Sequence, residues 1–339
     1  MSAGLLRRVA ERTRAYDFTV WFWGDAIALD GLLDAADLAD DEASLAHVER
    51  FVRGWAERSL GWADHLAPGD AILRLAALRG DDALLDAARR LAAWLTEAVP
   101  HTPEGYPLYR PDQPEYRHTV WVDTLYHEPP FFARLARATG DARWDDVAVE
   151  VWDAHARALR VGDGPLLGHG YDVGKRALRG PGWGRGCGWA LLGFVDTLEL
   201  LPVAHPRRAW AEGETRRLAA RVAELQDPSG HWRTLLDDRE AYLETSTAAF
   251  FGAAFAKGMR LGVLDASYAP ALAAAWNALQ ARIGEDGGVS GVSACTWAAI
   301  APQDDLAMYR TLPTEVNVWG QGAALRCVAE LLRFERAAV

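Results

Sequence analysis

Apolar residues recur at three- and four-residue spacing along most of the chain, and the pattern rarely switches to the alternation of a half-buried strand. Over residues 83–98 the spacing predicts one amphipathic helix, with Leu84, Ala87, Ala88, Leu91, Leu95 and Ala98 on a single stripe. Comparable stretches lie at about 3–15, 26–39, 43–58, 70–79, 124–138, 143–159, 188–201, 207–225, 245–260, 266–282 and 320–337. Glycine, aspartate or proline stops separate many of them, as in Arg79-Gly80-Asp81-Asp82, Thr139-Gly140-Asp141, Leu201-Pro202 and Leu261-Gly262-Val263-Leu264-Asp265. Glycine ends one helix in a left-handed cap and aspartate starts the next, so each stop reads as the turn of a helical hairpin. The stops recur about every sixty residues, and about a dozen helices in six hairpins can close on themselves around a pocket. The expected fold class is all-α, an (α/α)6 barrel. No low-complexity linker interrupts the pattern, so residues 1–339 are expected to form one such domain.

Composition narrows the function. Half of the residues are hydrophobic, no run is long and apolar enough to span a membrane, and the first residues lack a secretory leader's apolar stretch, so a cytoplasmic protein is expected. Cys187, Cys295 and Cys327 are far apart and without C-x-x-C spacing, which points to neither a disulfide framework nor a zinc knuckle. The net charge of −11 argues against nucleic acid as a partner, since phosphate binding needs clustered Lys and Arg. A small anionic substrate stays compatible, because it responds to the local field of a cleft.

Loops at 100–120, 161–187, 226–243 and 284–318 are rich in glycine and aromatic residues, and in a toroid such loops gather at one end. Of the fifteen Trp residues, those on helix stripes, such as Trp94, Trp152 and Trp210, read as packing. Trp121, Trp183, Trp189 and Trp232 sit beside glycine or charged residues, where a flat face suits a sugar ring. Competing motifs lack their context. His127-Glu128-Pro129-Pro130-Phe131 has no second histidine for a zinc helix, and Gly182–Gly188 has neither a preceding strand nor a following Lys-Ser/Thr for a phosphate cradle. No metal or other cofactor is expected.

Several blocks, in order, resemble a known family: Trp121-Val122-Asp123-Thr124-Leu125, Pro130-Phe131-Phe132-Ala133, Thr139-Gly140-Asp141, Gly168-His169-Gly170-Tyr171-Asp172 and Trp183-Gly184-Arg185-Gly186-Cys187-Gly188-Trp189. Gln226-Asp227-Pro228-Ser229-Gly230-His231-Trp232 and Glu244-Thr245-Ser246-Thr247-Ala248 continue it. From about residue 20 onward the chain resembles the unsaturated rhamnogalacturonyl hydrolases of glycoside hydrolase family 105. The resemblance implies an (α/α)6 barrel and a partner oligosaccharide bearing a terminal 4,5-unsaturated uronic acid, which is cut off by protonating C4 and hydrating C5. One carboxyl group can donate the first proton and later take one from water.

By the same resemblance Asp123 is the acid/base, and Asp64 is a second aspartate near the substrate, although the residues just before Asp64 depart from the family's block. His169 and Arg185 match positions that contact the unsaturated sugar, and Trp121, Trp183 and Trp189 are candidate walls of its pocket. Each also has a structural reading. Asp123 fits an N-cap for the helix near Thr124, Asp64 a turn, His169 a tie for a glycine-rich loop, Arg185 an ion pair, and the indoles packing. Cys187 stands where the family usually has Asn, Tyr126-His127-Glu128 replaces a Met-rich stretch, and Asn317-Val318-Trp319-Gly320 replaces Asp-Pro-His-Gly. The leaving sugar is therefore left open. Another (α/α)6 carbohydrate enzyme, such as an epimerase or a saturated-glycoside hydrolase, and a non-catalytic sugar-binding toroid are the alternatives.

Overall fold

A computed structural model describes the chain except residues 1, 2, 20, 22, 62–68, 103, 109–112, 115, 297–304, 338 and 339. Six helices form an inner ring: α2 (Trp23–Ala39), α4 (Gly69–Arg79), α6 (Thr124–Thr139), α8 (Gly184–Leu200), α10 (Thr245–Arg260) and α13 (Val318–Ala337). Each packs on the next, and α13 closes the circle on α2. Outside them lie α1 (Ala3–Arg14), α3 (Glu42–Ala56), α5 (Asp82–Ala93), α7 (Arg143–Leu159), α9 (Arg208–Glu224) and α11 (Ala269–Gln280). This is the (α/α)6 barrel that the hairpin spacing led one to expect.

The layers follow from side-chain pattern. Residues 184–200 of α8 are buried on every side apart from Glu199, as a helix enclosed by neighbours must be. The outer α5 buries only Leu84, Ala87, Ala88, Leu91 and Ala92. Its stripe stops short of Ala98, which is exposed, because Trp94–Ala98 widens into a π turn. The extra residue in that turn rotates Ala98 outward and brings Val99 into the core.

Hairpin turns match their signals. Gly80, Gly140 and Gly262 all have positive φ, and Asp81 accepts from the amides of Ala83 and Leu84 at the start of α5. The start of α8 differs from expectation. Residues 184–187, read as loop for their glycines, are helical. Glycine is needed there for approach rather than for turning: a Cβ on Gly184 would lie 2.5 Å from the Arg233 carbonyl, and one on Gly188 would lie 2.7 Å from Phe250 Cβ.

Gly193, further along α8, presses closer still, since an added Cβ would lie 2.0 Å from the Leu125 carbonyl. That carbonyl belongs to the turn of α6 that Pro129 deprives of an N–H. Gly193→Ala is expected to force α6 and α8 apart and to lower the unfolding free energy by about 1–3 kcal/mol, measured as a drop in urea midpoint. An unchanged midpoint would mean that the ring yields freely there.

Short antiparallel strands tie the loops at one end. β1 (Thr119–Trp121), β2 (Gly170–Asp172) and β3 (Ala177–Arg179) form one sheet, with Trp121, Gly170 and Arg179 in register. β4 (Trp232–Arg233) pairs with β5 (Leu243–Glu244), and β6 (Val292–Ser293) pairs with β7 (Thr314–Glu315). A short helix that the sequence pattern had not shown, α12 (Asp305–Thr311), precedes β7. α6, α8, α10 and α13 each start beside these strands, so their N-terminal partial positive charges face the loops.

The opposite mouth is ionic. A cavity of about 620 Å³ opens among the C-terminal halves of the inner helices, lined in part by Asp34, Arg74, Asp196, Lys257, Arg326 and Glu330. Arg326 spans Asp196 at 2.9 Å and Asp34 at 3.2 Å, while Arg74 and Arg333 hold the second oxygen of Asp34. Lys257 pairs with Asp196 and Glu199, and Arg260 pairs with Glu199 and Glu330. These ion pairs line the cavity at the barrel floor.

Candidate active site

The sequence-predicted residues that the structure brings together lie at the N-terminal mouth. Asp123 follows β1 and immediately precedes α6, with helical backbone angles and no side-chain bond to the first amides of the helix. Its N-cap reading therefore fails. The residue is 4% exposed, and Oδ2 has no hydrogen-bond partner among the described residues. Burial raises its pKa to about 7, against the smaller lowering effects of its own backbone amide and of Arg185.

His169 faces it, with Nε2 3.9 Å from Asp123 Oδ2. Its position is fixed from both sides of the chain: its amide donates to Arg179 O, and its carbonyl accepts from Val122 N, one residue before Asp123. The Trp183 ring lies 3.8 Å away, tilted by 32°, and Trp121 meets the imidazole edge-on at 4.6 Å. Nδ1 lies 2.5 Å from the hydroxyl of Tyr309. Burial, reinforced by Arg185, drives the imidazole pKa well below its ordinary value, so the ring is neutral.

Arg185 is nearby but largely engaged. Its Nη1 donates to Ser293 Oγ at 2.8 Å, and Nη2 donates to Thr296 Oγ1 at 3.0 Å. Glu244 lies 3.7 Å from Nη1 and itself accepts from Ser293 N, Ser246 Oγ and Thr247 N. The guanidinium thus straps residues 293–296 to the start of α8, and among the described residues Nε has no partner. Its charge still acts on Asp123 and His169, and it stacks against Trp183 with 5.0 Å between Cζ and the ring centre.

Trp189 is not part of this cluster. It is fully buried one turn deeper, among Tyr126, His127 and Phe250, as packing beneath the pocket. Asp64 lies outside the described residues. Glu244, Ser293, Tyr309 and Trp319 join the same cluster of contacts, and the sequence reading gave none of them a role there. Glu244 and Trp319 sat in quoted blocks, but nothing local marked Ser293 or Tyr309. Trp319 donates to Ser293 O and lies 4.9 Å from Trp23, which brings α13 and α2 to the same rim.

A buried carboxyl group poised near neutrality, beside a neutral histidine and indole faces, is suited to delivering a proton to a bound sugar. The model of Glycosyl Hydrolase Family 88 matches residues 6–335. The unsaturated rhamnogalacturonyl hydrolase YesR of Bacillus subtilis is 30% identical over 98% of this chain and 95% of its own length. A possible GH105 member from Klebsiella pneumoniae superposes with a TM-score of 0.86 at 24% identity, covering 97% of this chain and 92% of that one. The unsaturated glucuronyl hydrolase of Bacillus sp. GL1 superposes at 0.70 with 17% identity, over 98% and 95% of the two chains. The chain therefore belongs to the glycosyl hydrolases of the family 88 model, as a family 105 member.

Proposed function

We propose that the chain removes a terminal 4,5-unsaturated uronic acid from oligosaccharides left by a polysaccharide lyase, with Asp123 as the acid and then the base. The observation that carries this reading is the uncapped, buried Asp123 carboxyl beside neutral His169, with its pKa raised to about 7. Family membership and the activity named for YesR support the same substrate class.

The Asp123 carboxyl gives its proton to C4 of the vinyl ether, and positive charge develops at C5 and the ring oxygen. Water adds to C5 and returns a proton to the Asp123 carboxylate. The resulting hemiketal opens to a ketone at C5 and a hemiacetal at C1. The hemiacetal collapses to the C1 aldehyde as the bond to the leaving sugar breaks, its hydroxyl proton passing to the leaving oxygen, and the carboxyl group is ready for another turn. Trp121 and Trp183 wall the sugar, and Asp64 serves as a second carboxyl group near the reacting carbons. Arg185 shapes the wall through its hold on residues 293–296 and adds positive potential for the uronate. Trp189 is the floor under these groups. One catalytic body spanning residues 1–339 performs the reaction. No helix among the described residues is long and apolar enough to cross a membrane, and free, buried Cys187 and Cys327 suit a reducing cytoplasm.

The test is loss of the conjugated uronide's ultraviolet absorbance when the protein meets unsaturated di- and trisaccharides made by several lyases. Turnover of at least one series is expected, and the series consumed identifies the leaving sugar. Activity confined to saturated glycosides, or binding without turnover, would overturn the reading.

A further inference from the structure

We propose that Tyr309 is a positioning residue for this reaction: its phenol donates a hydrogen bond to His169 Nδ1 and so holds the imidazole as the Nε2–H tautomer, with that N–H turned to Asp123. The inference rests on Asp123 being the proton donor, as proposed above.

Tyr309 reaches the site from α12, 140 residues beyond His169, and the two polar atoms are 2.5 Å apart. Neither side chain meets bulk water, at 0% and 1% exposure. The imidazole cannot swing away, because Trp183 lies against its face and Trp121 against its edge. The phenol is seated just as firmly. Gly180 has φ +50°, and a Cβ there would lie 2.3 Å from the phenolic oxygen, so the chain opens a slot that a side chain would fill. Thr234 Oγ1 donates to the Tyr309 carbonyl at 2.6 Å, and Arg310 pairs with Asp238 and Glu240, fixing α12 to the segment that links β4 to β5.

A neutral imidazole carries one N–H and one lone pair, so the partner of one nitrogen decides what the other presents. With Nδ1 accepting from the phenol, Nε2 presents a proton to the carboxyl group. That arrangement is useful at one moment. When Asp123 has given its proton to C4, negative charge appears 3.9 Å from Nε2, where an N–H stabilises it directly or through a substrate oxygen and a lone pair would oppose it. The neutral ring does not compete for the proton itself.

Nitrogen-15 NMR of histidine-labelled protein reads the tautomer, with a His169→Asn variant to assign the signals. The wild type is expected to show a protonated Nε2 and an accepting Nδ1 at His169. Tyr309→Phe is expected to lose the accepting signature, mix the tautomers, and lower kcat by about 10- to 100-fold with KM nearly unchanged, by analogy with the loss of a partner that orients a metal-bound histidine. A wild-type His169 protonated on Nδ1 would overturn the proposal, even if the Phe variant failed to fold. So would a Phe variant that keeps both tautomer and kcat. The wild-type spectrum needs no turnover, so failure to consume any lyase product overturns the reaction assignment without deciding the tautomer.

Discussion

Asp123→Asn is expected to lower turnover of an unsaturated uronide by on the order of 10²- to 10⁴-fold, with binding retained. Asn keeps the shape of the side chain and removes the titrating proton, so the loss reports chemistry rather than packing. A thousandfold effect corresponds to about 4 kcal/mol of barrier. The acid must be protonated to act, so wild-type kcat/KM is expected to hold at acidic pH and fall as pH rises through about 7. The Asn variant should lack this limb.

Stability gives an independent reading of the same group. The folded pKa of Asp123 is raised, so between roughly pH 4 and 7 the folded state binds more protons than the unfolded chain. Folding stability therefore drops across that window as pH rises, and the loss persists above it. Asn has nothing to ionise, so the variant is expected to melt higher than wild type at pH 8 and similarly at pH 4. Wild-type turnover by the Asn variant, measured by ultraviolet absorbance, would remove Asp123 from the chemistry. An unchanged melting difference across pH would remove its perturbed ionisation.

The ring was legible because each helix declares itself locally, through a 3.6-residue stripe and a glycine or aspartate stop. α5 shows both the reach and the limit of that reading: Leu84 to Leu91 bury as spaced, while the π turn that displaces Ala98 depends on what packs against it. The first glycines of α8 misled for a related reason, since Gly184 answers to Arg233, which lies 49 positions further on. At the site, Asp123 and His169 could be named from short motifs, because one strand and one helix start present them. Arg185 and Trp189 carried two readings apiece, and only burial and bonding partners weigh between them. Tyr309 had no local mark at all. Its position relative to His169 is set by ring closure, a long-range consequence of six hairpins rather than of any one segment.

At the far end of the ring, Arg326→Met is expected to cost about 3–5 kcal/mol of unfolding free energy, the usual penalty for removing one partner from a buried ion pair. Arg326 is 4% exposed and bonds both oxygens of Asp196, at 2.9 and 3.0 Å, while its Nε faces Asp34 at 3.2 Å. Met fills much the same volume, so the loss comes from the carboxylates left behind rather than from a void. Burial pushes the Asp34 carboxyl up, but Arg333, Arg74 and Arg326 together outweigh it and hold the group well below its usual range. A lowered folded pKa contributes stability that is present above the unfolded value, near 4, and is lost as pH falls below it. Arg326→Met is thus expected to unfold at lower urea concentration at pH 7 and to lose less than wild type on acidification. Adding Asp196→Asn should recover part of the loss, because it removes a buried carboxylate that the first substitution leaves to Lys257 alone among the described residues. A double variant no more stable than Arg326→Met would mean that the floor is held by packing, with its ion pairs close to neutral in effect.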